Sequence, residues 1–124
     1  KTYRKPILQC LDYIDAHLHT QIRAADLATL VKLTPSYLSV LFKKETGLAI
    51  SDYILHRRID TACNMLRYSG YPTAQISEIL GFSSQSYFIR CFKKLISLTP
   101  YEYRQEYAEH ALNAAQYGWD GNMN

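Results

Sequence analysis

Two short stretches, fifty residues apart, hold the side chains through which this sequence could do chemistry. In the first, Ser36, Ser39, Val40 and Lys43 recur at i, i+3, i+4 and i+7, one face of an α-helix, with Lys44 beside them. In the second, Gln85, Ser86, Ile89, Arg90 and Lys93 share a face, and Lys94 follows. The opposite faces are apolar: Leu38, Leu41 and Phe42 in one, Phe88, Cys91, Phe92 and Leu95 in the other. Glutamine and arginine form paired hydrogen bonds with adenine and guanine edges, and serine bonds to several bases. Lysines at the helix ends suit phosphates, which adds affinity without sequence choice. The candidate chemistry is therefore non-covalent reading of duplex DNA. Base contacts are expected from Ser36, Ser39, Gln85, Ser86 and Arg90, and phosphate contacts from Lys43, Lys44, Lys93 and Lys94; the apolar Val40 and Ile89 share these faces.

Seen alone, a Lys-Lys pair at a helix end complements the helix dipole, and a serine-rich face is merely solvated. Recurrence changes the balance. Ser36-Tyr37-Leu38 through Phe42-Lys43-Lys44 aligns with Ser86-Tyr87-Phe88 through Phe92-Lys93-Lys94. Leu48 then pairs with Leu98 and Tyr53 with Tyr103, and upstream Leu27 pairs with Ile76 after one extra residue in the second turn. Each copy reads as a short helix, a tight turn and a longer helix with a basic end, so the pattern is a doubled helix-turn-helix.

The elements that must position these faces follow from spacing and caps. Ile7, Leu8, Leu11, Ile14 and Leu18 give a first helix after Pro6, which a first turn tolerates. A short helix over 24–31 places Leu27, Leu30 and Val31 inward, and Lys32–Leu33 make the turn. Thr34 is the expected N-cap, with Pro35 at the first helical position and Gly47 ending the helix. Residues 51–68 form one long helix with an apolar stripe of Tyr53, Ile54, Ile59, Ala62, Cys63 and Leu66. After Gly70 and Pro72, Thr73 is read as the cap of a short helix holding Ile76, Ile79 and Leu80, which Gly81 ends. Ser83 or Ser84 caps the next helix. Thr99-Pro100 repeats the cap-plus-proline start of a last helix running towards Ala115, and Gly118–Asn124 is expected to fray.

The expected fold is all-α, with seven helices. A linker at 1–5 precedes a first helix-turn-helix subdomain at 6–50, a linker helix at 51–69, a second subdomain at 70–107 and an acidic tail at 108–124. A linker helix of eighteen residues spans roughly 27 Å. Subdomains at its ends would bring the two reading helices about one duplex turn apart, ~34 Å.

Composition agrees with this reading. A chain of 124 residues, 48% hydrophobic, suits one ordinary domain or two very small ones. Fifteen leucines and eleven alanines against two valines favour helix over sheet. No apolar run approaches the ~20 residues a membrane span needs, and no secretory leader opens the sequence. A start at Lys1 suggests a piece of something longer. Cys10, Cys63 and Cys91, widely spaced and without CxxC, read as buried thiols in a reducing cytoplasm. His17, His19, His56 and His110 are scattered without metal-ligand spacing, and no nucleophile–base set is visible, so no metal, cofactor or enzymatic activity is expected. Tyr37, Tyr53, Tyr87 and Tyr103 recur at equivalent places and are assigned to the core or subdomain edges. The net charge of +3 hides an asymmetry. All 14 Lys and Arg precede residue 105, where eight acids leave +6, and the remainder carries −3.

The string Ile76-Ser77-Glu78-Ile79-Leu80-Gly81-Phe82-Ser83-Ser84-Gln85-Ser86-Tyr87-Phe88, with Arg90, Phe92-Lys93-Lys94, Thr99-Pro100 and Tyr103-Arg104, resembles the signature of the AraC/XylS family of bacterial transcription regulators. Arg58-Ile59 with Ala62 and Leu66 resembles the linker-helix pattern of that family, and the resemblance covers about residues 6–107. It implies a C-terminal DNA-binding domain, acting in the cytoplasm at the nucleoid, with recognition helices at 35–46, where Ser36, Ser39, Val40 and Lys43 face DNA, and at 84–95, where Gln85, Ser86, Ile89 and Arg90 do. The implied partners are double-stranded DNA, an N-terminal effector-sensing or dimerisation region of the same protein, and RNA polymerase. Val40 stands where the family commonly has arginine, which exchanges a guanine reader for a group suited to a thymine methyl. Ser77 replaces the usual alanine and Ser97 the usual glycine. Arg58 and Gly81-Phe82 are read as structural. The rival is a helical protein-interaction module that docks through the linker face or the acidic tail.

Overall fold

The computed structural model describes residues 2–116, and every regular element among them is an α-helix. The order is α1 (Lys5–Ala16), α2 (Ala24–Val31), α3 (Pro35–Thr46), α4 (Ile50–Tyr68), α5 (Thr73–Ile79), α6 (Gln85–Ile96) and α7 (Pro100–Gln116). Seven helices and no strand among the described residues bear out the expected fold class. None of these helices is long and apolar enough to cross a membrane. The tail Gly118–Asn124, expected to fray, lies outside the described residues.

The chain divides into two compact units within α4. The first takes the described residues of Lys1–Asp60 together with Ile79–Gly81. Its core is Ile7, Cys10, Ile14, Leu18, Leu27, Ala28, Leu38, Leu41, Phe42, Ile50 and Ile54. Each large aliphatic or aromatic side chain buried there contributes about 1.5–3 kcal/mol. The chain turns between α2 and α3 at Lys32, whose backbone is left-handed (φ 60°), and Gly47 ends α3 the same way (φ 84°). Arg58 then reaches from α4 to the end of the first helix. Its Nε donates to the Leu18 carbonyl at 3.1 Å and its Nη2 donates to the Thr20 carbonyl, pairing two acceptors of the turn that follows α1. Gly81 packs on the same place. A Cβ on it would lie 3.3 Å from the Leu18 carbonyl oxygen and 3.4 Å from that of Thr20, at a φ of +77°.

The second unit takes Thr61–Glu78 and the described residues of Phe82–Asn124. Ala62, Cys63, Leu66, Ile76, Phe88, Cys91 and Phe92 are buried in it. A file of rings runs through this core: Phe82 to Phe88 (4.9 Å between centroids), Phe88 to Phe92 (5.8 Å) and Phe92 to Tyr103 (5.6 Å, edge-on). Ser77 is buried without cost because its hydroxyl donates to the Ser84 carbonyl at 3.3 Å. Arg104 repeats the stitch made by Arg58, donating to the carbonyl of Leu66 (3.1 Å) in the last turn of α4 and to those of Ser69 (3.3 Å) and Tyr71 (2.7 Å) just beyond it. At the start of α7, Thr99 and Glu102 form a reciprocal capping box. Glu102 Oε1 accepts from the Thr99 backbone N–H at 2.8 Å and Thr99 Oγ1 accepts from the Glu102 N–H at 3.1 Å. Those bonds hold the Glu102 carboxyl below the usual carboxylate range.

The fifty-residue repeat is a repeat of geometry. Residues 41–50 and 91–100 have the same burial at every position. Phe42 meets the edge of Tyr53 at 5.5 Å as Phe92 meets Tyr103, and burial pushes both phenols up from their usual range. All three cysteines are buried free thiols, as expected. Corrections fall at the margins. Leu30, read as inward, is 43% exposed, and Leu8, part of the first helix's apolar spacing, is 46% exposed; Ile79 is exposed and Leu95 half-buried. They lie at the edges of their stripes, where periodicity marks a face and no neighbour covers it. Thr73 is the first residue of α5 rather than its cap, since the Pro72 carbonyl already accepts from the Ile76 N–H at 3.0 Å.

Ser97 ends α6 in the left-handed conformation (φ 73°) that Gly47 adopts at the equivalent place. An L-residue there carries about 1–2 kcal/mol of backbone strain, partly offset because glycine has more freedom to lose on folding. Ser97→Gly should therefore stabilise the chain by about 0.5–1 kcal/mol in urea unfolding, and Gly81→Ala should destabilise it by more than that. A destabilised Ser97→Gly would show that the serine side chain compensates for the strain.

Candidate nucleic-acid interface

A helix can present a reading face only if its other face is anchored and its first turn held. In α3, Leu38, Leu41 and Phe42 are buried, whereas Ser36, Ser39, Val40, Lys43 and Lys44 are all exposed, Val40 to 69%. Thr34 Oγ1 accepts from the Tyr37 N–H at 3.2 Å, and Pro35 holds the first helical position as its ring angle favours. In α6, Phe88, Cys91 and Phe92 are buried, and Gln85, Ser86, Arg90, Lys93 and Lys94 are exposed. Ser84, the second of the two serines considered, is the cap, with its Oγ accepting from the Tyr87 N–H at 3.1 Å. Ile89 is half-buried, so it borders the face rather than standing out from it.

The structure thus brings Ser36, Ser39, Val40, Lys43 and Lys44 together on α3 in the first unit. It brings Gln85, Ser86, Arg90, Lys93 and Lys94 together on α6 in the second. Both faces are electropositive at their C-terminal ends. Among the described residues, ion pairs join Arg4 to Glu45 and Arg57 to Asp15 and Asp60, and none neutralises Lys43, Lys44, Arg90, Lys93 or Lys94. At the left-handed ends the Gly47 and Ser97 N–H groups close the last turns onto the Lys43 and Lys93 carbonyls at 2.8 Å.

Two exposed tyrosines were not singled out as site residues by their sequence. Of the four repeated tyrosines, Tyr53 and Tyr103 pack edge-on against the core as expected. Tyr37 and Tyr87 stand 50% and 42% exposed in the first turns of α3 and α6. The signal was available: a helical position three residues before Val40 and Arg90 lies on the flank of the reading face.

The helix-turn-helix domain family matches residues 27–106. A regulatory protein, PocR, of Salmonella typhimurium is 39% identical over 103 residues, covering 83% of this chain and 34% of that protein. The C-terminal domain of the two-component response regulator yesN from Fusobacterium nucleatum is 32% identical. It superposes with a TM-score of 0.74 over 78% of this chain and 95% of its own. A transcriptional regulator with an AraC-type DNA-binding domain, from Chromobacterium violaceum, is 26% identical with a TM-score of 0.79 over 83% and 92%. The chain spans about a third of the length of the curated relatives it matches, such as PocR at 34%.

Each cap holds the turn from which an exposed, basic-ended face begins. Thr34→Ala and Ser84→Ala should each cost about 1 kcal/mol of stability, measured by urea unfolding, and should raise amide exchange in the first turn of α3 or α6. Unchanged exchange at Tyr37 and Tyr87 would show that the turns are held by packing alone.

Proposed function

Since the chain belongs to the helix-turn-helix family of DNA-binding domains of AraC/XylS type, we propose that α3 and α6 are its two recognition helices and read successive major-groove segments of a duplex. The protein is the C-terminal, sequence-specific DNA-binding domain of a bacterial transcription regulator. The observation that carries this reading is the recurrence of one two-faced helix, capped, anchored and basic-ended in the same way, in each unit. In domain terms, residues 6–50 and 70–107 are the reading subdomains, 51–69 the helix between them, 1–5 a linker and 108–124 an acidic tail.

The mechanism is non-covalent. Lys43, Lys44, Lys93 and Lys94 set register on the phosphates, and Ser36, Ser39, Val40, Gln85, Ser86, Ile89 and Arg90 meet base edges. Arg90 is the strongest reader, because its fork matches guanine O6 and N7. Val40 has no polar atom and selects by apolar contact with a thymine methyl. Ile89, half-buried, contributes from the margin. The longer protein supplies the rest: an N-terminal effector-sensing or dimerisation region, and contact with RNA polymerase at promoters in the cytoplasmic nucleoid. It has no enzymatic step.

Selection of bound sites from a random duplex pool, followed by footprinting, tests the reading directly. Protection over about two helical turns is expected, whereas protection of a single half-site would remove α3 as a reader. On the selected duplex, Arg90→Ala should lose ~1–3 kcal/mol and relax choice at one base pair. Equal losses on selected and random duplex would dismiss base reading by Arg90. Lys43→Ala or Lys93→Ala should weaken all sequences alike and reduce the salt slope by about one. An unchanged slope in titrations from low to high salt would dismiss the phosphate contact.

A further inference from the structure

Arg90 is exposed on a long flexible side chain, yet paired recognition of one base requires its guanidinium plane to be set before contact. Among the described residues no carboxylate holds it. What lies beside it is a ring. The Arg90 guanidinium carbon sits 5.8 Å from the centroid of Tyr87, within cation–π range. The ring is itself propped from the core: Phe82 meets Tyr87 at 6.1 Å with the planes tilted 57°, and Phe82 packs on fully buried Phe88 at 4.9 Å. The Tyr87 backbone is fixed as well, because its N–H is the donor that Ser84 caps. A file of contacts thus runs from the core, through Phe82 and Tyr87, to the guanidinium.

We propose that Tyr87 is a positioning residue for base recognition, its ring holding the Arg90 guanidinium in place on the reading face. The proposal rests on the base-reading role of Arg90 set out above and adds the group that orients it. The first unit has an internal counterpart. Tyr37 occupies the equivalent place, but Val40 replaces the arginine, so the tyrosine there has no guanidinium at that position to orient.

The test is a double-mutant cycle on the 124-residue chain, using the duplex selected from a random pool, its single-base-pair variants and a random-sequence duplex. Melting and helicity confirm that each variant folds. Tyr87→Leu should weaken binding to the selected duplex by about two- to fivefold, the size of an exposed cation–π contact. It should reduce discrimination at the base pair that Arg90→Ala identifies, and leave affinity for the random duplex unchanged. In the Arg90→Ala background, Tyr87→Leu should cost nothing further. Tyr87→Phe, which keeps the ring, should retain the discrimination. A loss of equal size in both backgrounds, or on the random duplex, would overturn the proposal in favour of a direct phosphate contact by the hydroxyl. Arg90→Ala with unaltered base choice is a separate outcome: it would overturn the base-reading role itself, and this proposal with it.

Discussion

Each unit hangs on a fully buried phenylalanine that fastens its basic-ended helix, α3 or α6, from behind. Phe42 and Phe92 are both 0% exposed, and each is met edge-on by a tyrosine from the helix that follows. A lost phenylalanine side chain in such a core costs about 3–5 kcal/mol, a large share of the stability of a small unit. With that anchor in place, the opposite face need contribute nothing to folding. Serines, a bare valine, glutamine, arginine and pairs of lysines can occupy it on chemical grounds alone.

Around the anchors, the fold solves one recurrent problem, the backbone carbonyls left where a chain leaves a helix and turns. Arg58 and Arg104 perform the same service at different positions, each spreading a guanidinium over carbonyls at or after the end of an earlier helix. Their places in the repeat differ by a turn of helix, so function was preserved without strict residue equivalence. Arginine suits the task because its donors form a rigid fork and its charge persists at every pH at which proteins fold.

Most of the architecture was legible in the sequence because it rests on local chemistry. Caps, prolines at first positions, glycine at a left-handed end and the period of Leu38, Leu41 and Phe42 act within a turn or two of helix. The aligned repeat extended that reliability from one copy to the other. What the sequence could not disclose were contacts made across many residues. Nothing near Arg58 announces the carbonyls of Leu18 and Thr20, and nothing near Leu8 or Leu30 shows that no element covers them. On the exposed faces of α3 and α6 the members were legible from spacing, and the place of Tyr87 one turn before Arg90 could have been; the half-burial of Ile89 required the packed helix.

Two units built alike invite a particular error in folding, in which α3 or α6 docks into the core of the other copy. The buried positions that differ bear on this. Where α3 presents Leu38 and Leu41, α6 presents Phe88 and Cys91, so one copy divides its volume evenly and the other unevenly. Exchange would set an aromatic ring against space shaped for a leucine and leave a void where a thiol stood for an isobutyl group. Both mismatches are of the size that cores resist. Like two keys cut to different depths on the same blank, the helices share an outline and differ at two buried notches, one deeper and one shallower.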